Sequence, residues 1–111
     1  MSFFRAAQCF STAIDTLMIP HPHGVTPHIT RALIECNEAV DSIPVNKLDA
    51  EAAGWIEQLN VLLDYRHLTV PQGKGGLEVK AETLGETDQI QLSQLVKDLY
   101  DWCSEANRQG L

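Results

Sequence analysis

Four times along this chain apolar residues recur at steps of three and four, and that spacing leaves little room for anything but helices. Phe3, Ala6, Ala7, Phe10, Ala13, Ile14 and Leu17 form the first stripe. At about 100° per residue they gather on one side of a helix over 3–18, which Pro20 and Pro22 stop. The second helix, 27–43, begins with Thr26 as a cap and Pro27 at the first helical position. It carries Ile29, Ala32, Leu33, Cys36, Ala39, Val40 and Ile43 and ends at Pro44. The third, 47–66, starts near Asn46 or Asp49, where "NKLD" resembles a capping box. Leu48, Ala52, Trp55, Ile56, Leu59, Leu62 and Leu63 make its stripe. The fourth, 88–108, follows a Thr87 cap and runs through Leu92, Leu95, Val96, Leu99, Trp102, Cys103 and Ala106 to a Gly110 terminator.

Four amphipathic helices joined by two short connections predict an all-α chain: a small four-helix bundle-like domain spanning 1–111. Residues 67–86, "HLTVPQGKGGLEVKAETLGE", break the pattern. An irregular segment of that length is uncommon inside a compact domain. "LTV" and "LEVK" flank a glycine-rich tip, so the segment reads either as a long loop or as a short β-hairpin between helices three and four.

With 111 residues, 44 % of them hydrophobic, the chain can bury a core without a metal or disulfide staple. Three cysteines, an odd number with no CxxC spacing, point to reduced thiols and a cytoplasmic setting. Asp15 interrupts the apolar N-terminal stretch, which therefore fails as a signal peptide, and no run is long enough to span a membrane. The net charge of −7 argues against nucleic acid or an anionic membrane as partner. Eight basic residues are scattered among fifteen acids with no basic stripe. The acidic excess is uneven: Glu78, Glu82, Glu86, Asp88, Asp98, Asp101 and Glu105 face only Lys80 and Lys97 in that stretch, which carries −5 of the −7.

Catalytic patterns are absent from the sequence. "GKGG" lacks both the leading glycine and the Ser or Thr of a phosphate loop, and there is no G-x-S-x-G, H-E-x-x-H or Glu-x-x-His pair. "PHPHGVTPHIT", residues 20–30, holds three of the four histidines and three of the five prolines. Pro22 favours a polyproline geometry in which His21 and His23 diverge, and His28 has no ligand one turn away on its helix. The segment reads as a stiff corner between helices. The competing reading is a metal-binding protein or enzyme on His21, His23, His28 and perhaps His67. Glu35, Glu38 and Asp41 share one face of helix two and read as solvated surface. Cys36 and Cys103 sit mid-stripe as small apolar groups, while Cys9, at a stripe edge, is the thiol expected to be accessible.

What remains is a small acidic cytoplasmic protein that works by binding another protein with a basic surface, of inhibitor, immunity, antitoxin or adaptor type, with neither catalysis nor a cofactor. Glu82, Glu86, Asp88, Asp98, Asp101 and Glu105 would steer and hold the partner, with Trp102 and Tyr100, or Trp55 and Tyr65, as aromatic anchors. The alternative is a self-associating helical protein. Helix one, with Phe3, Phe4 and Phe10 over a broad arc, would then supply a homodimer seam.

Overall fold

The computed structural model describes residues 3–18 and 26–110. Among them are five α-helices and one short 3₁₀ turn: α1 (Phe4–Met18), α2 (Thr26–Ser42), the turn Val45–Lys47, α3 (Ala50–Leu63), α4 (Gly76–Thr83) and α5 (Glu86–Arg108). The first stripe turns Phe3, Ala6, Cys9, Phe10 and Ala13 inward from α1 and its entry, against α2 on one side and α5 on the other. Helix α3 packs on α5, and α4 packs on α2. Buried side chains from all five helices meet in one hydrophobic cluster, with Phe3, Phe10, Leu33, Leu59, Leu92 and Leu99 as its largest sealed members.

Local chemistry sets the helix ends. Asp49 caps α3, its Oδ1 accepting from the Ala52 N–H at 2.8 Å. Asn46, the other candidate start, lies in the 3₁₀ turn, so α3 is shorter than the predicted 47–66. Thr87 is inside α5, whose capping position is Gly85, without a side-chain bond. At the far end Gly110 has φ +79°, a left-handed conformation that glycine adopts without steric penalty, and its N–H reaches the Asn107 carbonyl at 3.1 Å.

The segment 67–86 is neither hairpin nor unbroken loop: no strand occurs among the described residues, and α4 fills its second half. Turns occupy the first half. The Arg66 backbone N–H and guanidinium both donate to Asp64, at 3.0 and 3.0–3.1 Å. The Lys74 N–H closes on the Pro71 carbonyl at 3.2 Å, around Gly73 at φ +90°. "LEVK" alternates like a strand, but Leu77, Ala81 and Leu84 also stand at helical spacing. Ala81 and Leu84 are the positions buried, and α2 supplies the surface that selects the helical period.

Candidate functional site

The acidic residues expected to meet a partner fall into three physical groups. Glu82 receives the Lys74 ammonium on both carboxylate oxygens, at 3.0 and 2.9 Å, tying α4 to the turn before it. Glu86 and Asp88 lie in the first turn of α5, where carboxylates are favoured by the exposed N–H groups of a helix start. Asp98, Asp101 and Glu105, at steps of three and four, form a line on the exposed side of α5. Glu105 pairs with Arg108 and accepts from Gln109 Nε2 at 3.1 Å. Asp98 and Asp101 have no ion pair among the described residues. Like charges at this spacing oppose each other by about 0.2–0.5 kcal/mol per pair, and Lys97, four residues before Asp101, offsets some of that repulsion.

The four candidate aromatic anchors divide as sharply. Trp102 is half-buried, its ring meeting Phe3 edge-on with centroids 5.0 Å apart, and its indole N–H donates to Asp49 Oδ2 at 3.1 Å. Asp49 is thus held below the usual carboxylate range, first by the Ala52 N–H and then by the Trp102 indole. Trp55 packs half-buried against the core. Tyr65 is exposed, with its ring lying where a Cβ on Gly76 would have to go. Tyr100 is half-buried between α5 and α1, in the wall of an open groove with Phe4, Ile14 and Met18.

A cluster that the sequence did not bring together lies between α1 and α2. Arg5 and Cys9 are one turn apart on α1, and Glu35 and Glu38 one turn apart on α2. Packing the helices places Cys9 Sγ 3.9 Å from Glu38 Oε2, while Arg5 holds the same carboxylate oxygen at 2.8 Å. One donor atom each from Cys9, Glu35 and Glu38 lie within 4.8 Å of one another, a set able to hold a divalent cation. Cys9 is not the accessible thiol its stripe-edge position suggested: it is 2 % exposed, because α2 closes over it. Burial raises its pKa, Arg5 opposes that, and Glu35 and Glu38 raise it further. This is the reverse of the electropositive setting that makes a reactive thiolate, and a metal would have to remove the proton to bind. Burial likewise pushes Cys36 far up and Cys103 up to about 12. The pairing of these faces becomes legible only once α1 is known to lie against α2.

His21 and His23 lie outside the described residues. His28, half-buried in the first turn of α2, and His67, exposed after α3, join no set of potential metal ligands among the described residues. No helix among those described is long and apolar enough to cross a membrane. The chain matches no protein-family model, no curated protein and no solved structure.

Proposed function

We propose that the chain acts by binding, without catalysis or cofactor, and that its partner is a protein with a basic surface docking on the outward side of α5. Asp98 and Asp101 carry this reading: two exposed carboxylates in line with Glu105, neither of them held in an ion pair among the described residues. In a chain of net charge −7 this line attracts cationic partners at a distance and holds them by charge-assisted bonds on contact. Glu82, Glu86 and Asp88 play a lesser part, since intramolecular partners or a helix start already use them. Trp102 contributes by fixing α5 against Asp49 and Phe3 rather than as a free anchor.

The test is affinity enrichment from the protein's own host with the wild-type chain and with Asp98→Lys/Asp101→Lys, followed by affinity measurement in a salt series. A basic protein retained by the wild type should be lost or bound at least tenfold more weakly by the double variant. Its wild-type affinity should fall as salt rises. Equal retention by both chains removes α5 as the docking face.

A further inference from the structure

The thiol and carboxylates gathered between α1 and α2 form a mixed donor set rather than an acidic patch. Glu35 and Glu38 come from α2, one turn apart, and Cys9 meets them from α1, so two helices contribute. Cys9 Sγ is 3.9 Å from Glu38 Oε2, and one donor atom from each of the three lies within 4.8 Å of the others. A thiol is a weak hydrogen-bond donor, so a contact of that length does little for the fold. In a tetrahedral zinc site, with bonds of about 2.3 Å to sulfur and about 2.0–2.2 Å to oxygen, neighbouring donors stand roughly 3.3–3.6 Å apart. Closing the three donors on an ion shortens any separation by at most about 1.5 Å, which rotation of the glutamate side chains supplies.

An ion also has a way in. A cleft of about 390 Å³ opens beside the set, lined by Cys9 and Glu35 together with Arg5, Gln8, Ser11 and Thr12. Arg5 does not close the site. It holds Glu38 through Oε2 at 2.8 Å, and a carboxylate has a second oxygen and lone pairs to spare. The charges balance as well: a thiolate and two carboxylates are matched by a divalent ion and the Arg5 guanidinium.

We propose that Cys9, Glu35 and Glu38 bind a zinc ion that clamps α1 to α2, with water from the cleft as the fourth ligand. The sulfur selects the ion, since thiolate favours zinc whereas magnesium and calcium take oxygen ligands. On binding, the Cys9 S–H bond breaks, a zinc–sulfur bond forms and the proton passes to solvent, with no change of oxidation state. The ion serves the fold and no reaction. It lies between α1 and α2 and not on the docking line of α5, so this inference and the proposed function stand or fall separately.

Titration of the full chain with zinc alone, followed by calorimetry and native mass spectrometry, tests this. The wild type should take up a single zinc ion, and its Tm should rise as zinc is added but not with magnesium or calcium. Cobalt in place of zinc should give a thiolate-to-metal charge-transfer band in the near ultraviolet. Cys9→Ser and Glu35→Gln should each weaken zinc binding at least tenfold, and Cys9→Ser should abolish the cobalt band. Glu35 is only half-buried, so its variant keeps the test valid even if Cys9→Ser disturbs the core. His21→Ala/His23→Ala should bind zinc as the wild type does. A wild type without affinity for zinc would overturn the inference. So would binding unchanged by Cys9→Ser and Glu35→Gln, or binding lost in His21→Ala/His23→Ala, which would give the ion to the histidines.

Discussion

Helices α1 and α4 serve one core by opposite means. Helix α1 brings its own reasons to be a helix: Ala6, Cys9, Phe10 and Ala13 are buried along one continuous stripe. Helix α4 has eight residues, buries Ala81 alone, and starts behind Gly75 with no side-chain cap. A helix that short does not form in isolation. The Lys74–Glu82 pair and the apolar neighbours on α2 hold it in place, and the exposed Tyr65 ring lies over Gly76. One helix is specified by its pattern, the other by its position.

The largest expected effect tests the first half of that contrast. Phe10 is completely sealed, so Phe10→Ala should cost about 3–5 kcal/mol in urea unfolding, close to the whole stability of a marginal domain. A loss below about 1 kcal/mol would mean that α1 is held by something other than its buried stripe. A smaller effect tests α4. In Gly76→Ala the new methyl meets Tyr65, an exposed ring free to swing outward, and the substitution itself favours a helix. Stability should therefore change by less than about 1 kcal/mol, while the Tyr65 ring resonances move toward solvent values. A several-fold larger loss would show that the ring is fixed and that α4 depends on it.

The smallest effect concerns α3, whose start is capped where that of α4 is not. The folded pKa of Asp49 is depressed by the Ala52 N–H and the Trp102 indole. Its contribution is therefore present above the ordinary aspartate pKa of about 3.9 and lost as pH falls through the folded value. The difference in Tm between wild type and Asp49→Asn should be constant from pH 7 to about 5 and shrink below about 4. A difference that persists at pH 3 would assign the cap to geometry rather than charge. Because the carboxylate is exposed, the difference should also fall with added salt.

The same contrast explains what could be read from the residues alone. The bounds of α1, α2 and α5 lie within two residues of the expectation, because each stripe is long and interrupted only at its ends. Helix α4 was hidden because Leu77, Val79 and their charged neighbours satisfy a strand period as well as a helical one, and only contact with α2 decides between them. The burial of Cys9 and its meeting with Glu35 and Glu38 depend on which faces of two helices touch, a relation absent from either helix by itself. The acidic line of α5 was legible because it needs one helix only, whereas its division into paired and unpaired carboxylates needed the Arg108 side chain to be placed. Phe4 stood off the main stripe from the outset. That it shares a groove with Met18 and Tyr100 required α5 alongside.

Trp102 joins positions far apart along the chain: its ring edge rests on Phe3 and its indole N–H on Asp49. A chain emerging from the ribosome makes Phe3 first and Trp102 last of these three, at about 5–20 residues per second. For several seconds the nascent α1 and α2 have each other but no α5, and Phe10 and Leu33 must remain exposed or covered by something else. Assembly of this core is thus set by the arrival of its final helix, and a nascent chain halted before Trp102 would be a target for chaperones.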